Sequence, residues 1–197
     1  MSTTIIFIRH GQTEWNVEGR LQGRVDIPLN QVGRDQARRN GAALGRYLTD
    51  IGKTATDFSW VTSPLSRSRE TMDIVLETMG LGDLTYALDD RLMEMSFGTM
   101  EGSTKSELKA KNRDLMRRRS ADKWAFVPPG GESYAQLCDR ISAWWQSLTV
   151  DTVAVSHGGV SRALRGMYQQ VDPEKIPHLE VPQDRFHVLK GGIVETI

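Results

Sequence analysis

Short apolar runs alternate along this chain with longer stretches in which apolar residues recur at helical spacing. Ile5-Ile6-Phe7-Ile8 is apolar throughout and rich in β-branched residues, the pattern of a strand buried on both faces. A loop containing Gly and Asn follows. Asn30 is placed to cap a helix running to about residue 48, with Ala37, Leu44 and Leu48 near one face. Residues 58–62 read as a second strand ending at Ser63-Pro64, residues 65–79 as a helix stopped by Gly80, and residues 84–88 as a weaker strand. The stretch 103–119 is polar and helix-prone, with seven Lys/Arg against two acidic residues. Beyond Val127-Pro128-Pro129-Gly130-Gly131-Glu132, Ser133 is placed to cap a helix reaching about residue 148. Residues 152–155 form another buried-type strand, followed at once by Ser156-His157-Gly158-Gly159 and a helix to Tyr168. The tail reads as a hairpin, 185–189 and 193–197 around Lys190-Gly191-Gly192.

Strands alternating with helices predict an α/β fold with a mainly parallel central sheet and helices on both faces. No repeat, low-complexity tract or linker divides the 197 residues. A single domain spanning 1–197 is expected, with about 99–131 inserted as a cover.

Composition changes this picture mainly by exclusion. Apolar residues make up 39% and charged residues 25%, which argues against wholesale disorder. The 25 Lys and Arg balance the 25 Asp and Glu, so the chain lacks the overall charge of a nucleic-acid binder or a polybasic membrane ligand. Any anion site must be a local cluster. Cys138 is the single cysteine, which rules out an intramolecular disulfide, and no Cys/His zinc spacing is present. The residues ahead of Ile5 are too few for a signal-peptide core, and no apolar run approaches the about 20 residues of a membrane span. A cytoplasmic location is the expectation.

In open α/β sheets, ligands bind beyond the carboxyl ends of the strands. Arg9 and His10 follow the first strand, Arg67 the second, Glu94 the third, and His157 the strand at 152–155. This set suits a phosphomonoester, a dianion whose slow hydrolysis demands strong charge stabilisation. Two guanidiniums can grip phosphoryl oxygens bidentately, and a unit-charge pair at about 4 Å is worth roughly 4 kcal/mol at an effective dielectric of about 20. Gly11, Gly158 and Gly159 allow close backbone approach, and the helix opening after His157 would present free amides to an anion. A neutral imidazole can attack phosphorus, and a protonated one can bind its oxygens. His10 is assigned the first task and His157 the second, with Glu94 protonating the leaving oxygen and then activating water.

These residues resemble the histidine phosphatase superfamily, also called the phosphoglycerate mutase-like family, over nearly the whole chain. The resemblance rests on an ordered set. It begins with Ile8-Arg9-His10-Gly11-Gln12-Thr13-Glu14-Trp15-Asn16, Leu21-Gln22-Gly23, Asp26-Ile27-Pro28-Leu29 and Gly33. Ser63-Pro64-Leu65-Ser66-Arg67, Leu92-Met93-Glu94, Phe97-Gly98, Glu101-Gly102, Pro129-Gly130-Gly131-Glu132-Ser133 and Ser156-His157-Gly158-Gly159-Val160 complete it. It implies a three-layer α/β/α sandwich, a phosphohistidine at His10, phosphate ligands at Arg9, Arg67 and His157, and a proton donor at Glu94. It further implies pocket contacts at Asn16, Gln22 and Gly23, a helical lid at about 99–131, and no metal or organic cofactor.

Mutases of this family are longer and carry Arg and Tyr shortly after the acid glutamate. Met95 and Phe97 stand there instead, and the Pro-Gly-Gly-Glu-Ser block is similar to the phosphatase branch. The expected function is therefore hydrolysis of a small phosphorylated metabolite. The alternatives are a cofactor-dependent phosphoglycerate mutase, a non-catalytic phosphometabolite- or phosphoprotein-binding module, and a metal hydrolase using His10, His157 and Glu94. Arg117-Arg118-Arg119 resembles the paired arginines of a mutase lid and keeps a carboxylated substrate open, although a solvated helix face is the simpler reading. Arg69 reads as a solvated helix residue, and His178 and His187 as surface or strand residues. Cys138, Trp144 and Trp145 read as helix packing, with one Trp a candidate for a homodimer contact.

Overall fold

β1 (Ile5–Arg9) lies inside a six-stranded sheet in the computed structural model, which describes residues 3–197. The other strands are β2 (Ser59–Thr62), β3 (Ala87–Leu88), β4 (Thr152–Ser156), β5 (Phe186–Lys190) and β6 (Ile193–Thr196), in the order β3-β2-β4-β1-β5-β6. The β3–β2, β2–β4 and β4–β1 pairs are parallel, and the tail hairpin adds β5 and β6 antiparallel. The sheet is mainly parallel, as the alternation of elements predicts. The weak third strand shrinks to two exposed residues at the sheet edge. Only β2 pairs with it, and Asp89 and Asp90 turn the chain away into a short 3-10 turn.

Side chains of β1 alternate between two cores. Ile6 and Ile8 pack with Val153 and Val155 against α2 (Gln31–Asp50) and α3 (Ser66–Thr78). Ile5 and Phe7 pack with Ala154 against α6 (Tyr134–Gln146) and α7 (Gly158–Tyr168). The result is a three-layer α/β/α arrangement. Trp144 and Cys138 are buried in the second core, while Trp145 is half-buried and rests on Tyr168 in its own chain. No helix among the described residues is long and apolar enough to cross a membrane.

The predicted caps are present. Asn30 Oδ1 accepts from the Gly33 N–H at 2.9 Å at the start of α2. Ser133 and Gln136 exchange reciprocal bonds at the start of α6. The short α1 (Glu14–Glu18) is capped likewise by Thr13 and Asn16. Gly11 and Gly33 are needed for contact: a Cβ on Gly11 would strike the Gly33 backbone, and a Cβ on Gly33 the Gln12 backbone. This approach brings the loop after β1 down onto α2.

The polar stretch after residue 103 forms two helices, α4 (Lys105–Lys111) and α5 (Arg113–Ala121). Asn112 ends one and caps the other through its bond from the Leu115 N–H at 3.0 Å. Met100, Leu108 and Phe126 form a small separate cluster under them, with Leu21, Phe97, Leu115 and Met116 packed alongside.

Candidate active site

Strand register carries the two predicted histidines together. Arg9 of β1 pairs with Ser156 of β4, so His10 and His157 leave adjacent parallel strands side by side. The His10 N–H donates to the Ser156 carbonyl at 2.8 Å, and the imidazole centroids lie 5.1 Å apart. β2 ends beside them, where the Ser63 N–H donates to the Val155 carbonyl at 3.1 Å.

His10 is buried, and its Nδ1 lies 2.7 Å from the Gly11 carbonyl oxygen. A carbonyl only accepts, so the proton sits on Nδ1 and Nε2 keeps its lone pair. Burial, then Arg67 and Arg9, hold the ring well below the ordinary histidine pKa. His10 is a neutral imidazole at neutral pH.

His157 differs from the sequence expectation of a cation. Burial, then Arg67, His10 and Arg9, push its pKa well below the ordinary value as well, because a second positive charge in this enclosure is unfavourable. Its Nε2 lies 2.7 Å from Ser63 Oγ and 3.4 Å from Ser68 Oγ. With Ser63 donating to Nε2, the remaining proton sits on Nδ1.

Arg67 follows β2 on α3 and is fully buried, while Arg69 points to solvent as predicted. Arg67 Nη1 donates to the Val25 carbonyl and Nη2 to the Gly23 carbonyl, both at 2.8 Å, so Gly23 positions this guanidinium. Burying a guanidinium costs several kcal/mol in effective terms, which makes Arg67 a poor device for stability alone. Asp26, at 3.9 Å, is the carboxylate closest to pairing with it. Arg9 Nη1 donates to the Val181 carbonyl at 2.6 Å. Burial lowers Arg9 to about 10, against the attraction of Glu94, and it remains a cation at neutral pH.

Arg9 Nε, Arg67 Nε and His157 Nδ1 are all buried without a hydrogen-bond partner among the described residues. Native proteins pair more than about 90% of such atoms. Arg9 at the end of β1, Arg67 in the first turn of α3 and His157 just after β4 thus leave three nitrogens for an oxyanion, His157 Nδ1 serving as a donor when Ser63 donates to Nε2. Gly158 borders this cradle, since a Cβ there would stand 3.3 Å from Arg9 Nε. Gln22 is buried beside the same loop with Oε1 unpaired, and Asn16 is half-buried.

The expected free amides at the start of α7 are partly occupied. The Gly159 N–H donates to both carboxylate oxygens of Glu94 at 3.1 Å, and the Met95 N–H donates to Glu94 Oε1 at 2.8 Å. Glu94 is thereby tethered at the N-terminus of α7. Arg140 of α6 holds the preceding backbone through the carbonyls of Arg91 and Met93, and pairs bidentately with Glu132 at 2.7 and 2.9 Å. Glu101, the other acid nearby, accepts from the Arg24 and Phe97 N–H groups and the Ser96 hydroxyl, so it staples the loop. Met95 is buried in the core against α6 and α7, and Phe97 packs between that core and the small cluster under α4 and α5. Neither can hold a substrate carboxylate. His10, His157 and Glu94 do not form a metal-ligating group, and no such group of three occurs among the described residues.

The arginine run on α5 divides. Arg117 is exposed and pairs with Asp114 at 3.2 Å, Arg118 is exposed, and Arg119 is half-buried. His178 is exposed, while His187 is buried on β5 between Thr196 Oγ1 and Arg165 Nη1. Apart from His178, read only as a surface or strand residue, residues 177–183 carry no sequence expectation. They run along the site, with Arg162 Nε donating to the Leu179 carbonyl at 2.7 Å and Gln183 reaching the His10 backbone. No local pattern signals this, because the partners are far apart in the chain.

Known proteins with similar sequences and folds bear on this site. The family model described as the histidine phosphatase superfamily (branch 1) matches residues 5–191. A 2,3-bisphosphoglycerate-dependent phosphoglycerate mutase of Cytophaga hutchinsonii is 29% identical over 187 residues, covering 90% of this chain and 82% of that one. One from Rhizobium etli is 34% identical over 161 residues, covering 80% and 71%. Among solved structures, a mycobacterial glucosyl-3-phosphoglycerate phosphatase in complex with VO3 superimposes with a TM-score of 0.77 at 26% identity, covering 99% and 96%. The chain belongs to the histidine phosphatase superfamily, branch 1, and is a histidine-phosphatase-type hydrolase of small phosphorylated substrates.

Proposed function

We propose that His10 is the nucleophile of a phosphomonoesterase. The observation that carries the reading is the trio of unpaired buried donors, Arg9 Nε, Arg67 Nε and His157 Nδ1, grouped around a neutral imidazole whose Nε2 lone pair is free. Nε2 attacks phosphorus, the bond to the ester oxygen breaks, and Glu94 gives that oxygen its proton. Water then attacks the phosphohistidine, the P–N bond breaks, Glu94 takes the water proton, and inorganic phosphate leaves. The two arginines neutralise the charge on the equatorial oxygens in both steps, and His157 Nδ1–H donates a hydrogen bond to them. Asn16, Gln22, Gly23 and Gly158 line the pocket, and residues 99–131 act as its lid. A cytoplasmic metabolite is the substrate this reading favours.

The test is phosphoenzyme trapping with a phosphorylated substrate. His10→Ala should lose both turnover and the acid-labile label; a label retained elsewhere would overturn the assignment. Release of inorganic phosphate from 3-phosphoglycerate, set against its bisphosphate-dependent isomerisation, separates hydrolysis from mutase activity. The buried Met95 and half-buried Phe97 favour hydrolysis.

One observation favours a substrate with a second anionic group. Arg119, Lys123 and Arg162 form a cationic wall beside Tyr134, and none pairs with a carboxylate among the described residues. A carboxylated phosphomonoester fits that wall, and the mutase and glucosyl-3-phosphoglycerate phosphatase relatives act on such compounds by name.

A further inference from the structure

Residues 177–183 run past the site as a strap whose carbonyls are held by four cationic side chains. Lys123 Nζ donates to Pro177, Arg162 Nε to Leu179, Arg165 Nη1 to Glu180 and Arg9 Nη1 to Val181, at 2.6 to 2.7 Å. Pro182 follows with its φ fixed by the ring, which stiffens the spacing between Val181 and Gln183. The Gln183 carbonyl is anchored in turn by Nδ2 of Asn40, a buried residue of α2, at 3.1 Å.

The Gln183 side chain then makes two bonds that no catalytic assignment uses. Its Nε2 donates to the His10 carbonyl at 3.1 Å and to Asn16 Oδ1 at 3.2 Å. The primary amide has two hydrogens, one for each acceptor. Asn16 Oδ1 also accepts from the Thr13 N–H at 3.1 Å and the Thr13 hydroxyl at 3.2 Å. The oxygen end of the Asn16 amide is therefore committed to the protein. Its Nδ2, which has no hydrogen-bond partner among the described residues, remains as the donor end.

We propose that Gln183 is a positioning residue for the phosphoryl-transfer site, fixing the His10 main chain and orienting the Asn16 amide so that it presents a donor to a phosphoryl oxygen. The inference rests on the reading of His10 as nucleophile. Two positions along one strap thus set two halves of the site: Val181 the Arg9 guanidinium, Gln183 the nucleophile loop. A displacement of about 1 Å at such a site can cost on the order of a hundredfold in rate.

Gln183→Glu is the informative variant, because near neutral pH its carboxylate offers only acceptors to two acceptors. With p-nitrophenyl phosphate as probe, kcat/KM should fall by on the order of ten- to a hundredfold near neutral pH. Relative to the unmodified protein it should recover as pH falls toward the carboxyl pKa, when the acid gains an O–H donor. Gln183→Leu should lose activity without that recovery, and should cost less in an Asn16→Ala background than alone. Thermal unfolding and phosphohistidine trapping are run on every variant. Folded variants that keep kcat/KM within about twofold would overturn the proposal, as would a Gln183→Glu loss independent of pH. If such variants still trap phosphate on His10, the positioning role alone fails; if the unmodified protein traps it elsewhere, the nucleophile reading fails and the positioning role with it.

Discussion

His10 and His157 are neutral for the same physical reason: each is buried beside two guanidiniums. His187, on β5, is held to about 4 by burial and Arg165. All three folded-state values lie below that of the unfolded chain, about 6.5. Below that pH the unfolded chain binds protons that the folded protein does not. The stabilising contribution is therefore complete above about pH 6.5 and declines below it, by about 1.4 kcal/mol per pH unit for each ring still neutral. The depressed carboxyls of Asp57, Asp89, Asp151 and Glu107 act in a separate, more acidic window. Between pH 6.5 and 5, Tm should fall by roughly ten degrees. Orthophosphate should flatten that slope, since an anion in the cradle favours imidazolium. A Tm unchanged over this interval in calorimetry would contradict the neutral pair. At this scale the sequence identified His10, Arg67 and Glu94 by their motifs, but the charge on His157 depends on neighbours that only folding supplies.

The loop ahead of Glu94 shows how one element serves another. Arg140 and Glu132 are 16% and 14% exposed, and the arginine also occupies the Arg91 and Met93 carbonyls. Removing one partner of a buried pair costs about 3–5 kcal/mol, because the other charge is left unpaired. Arg140→Met should therefore lower Tm and release the backbone that aims Glu94. If Glu94 supplies the leaving-group proton, kcat should fall more for an alkyl phosphate than for p-nitrophenyl phosphate, whose leaving group needs little protonation. Equal losses in the two assays would confine Arg140 to stability. The helices and strands themselves were legible because their caps and periodicities are local: Asn30 and Ser133 cap where expected. The break at Asn112 was missed because the stretch 103–119 is polar all round, so no apolar face marks where one helix stops.

Across the whole molecule, equal numbers of acidic and basic residues conceal an uneven distribution. Arg9, Arg67, Arg162, Lys123 and Arg119 converge from four parts of the chain, and burial with Arg119, Arg162 and Lys105 lowers Lys123 to about 8. Lys123 is thus a cation at neutral pH and loses its charge as pH rises through that value. If this wall binds a second anionic group, KM for a carboxylated phosphomonoester should rise above about pH 8 while that for p-nitrophenyl phosphate should not. Lys123→Met should remove the pH dependence and raise the first KM selectively. Parallel steady-state profiles of the two substrates decide it; an unchanged ratio would exclude the wall from binding.

Local order determined much of this protein. The apolar runs, the helix caps and the residues following each strand are adjacent in sequence, so the mainly parallel sheet and the placement of Arg9, His10 and His157 at its carboxyl edge could be read directly. The tertiary structure decided what those residues are chemically. It made His157 neutral, gave the Gly159 amide to Glu94, and brought Gln183 to the carbonyl of His10 across 173 positions of sequence. Protonation follows burial and neighbouring charge, and hydrogen bonding follows proximity. Both are properties of the folded packing, which no window of neighbouring residues encodes.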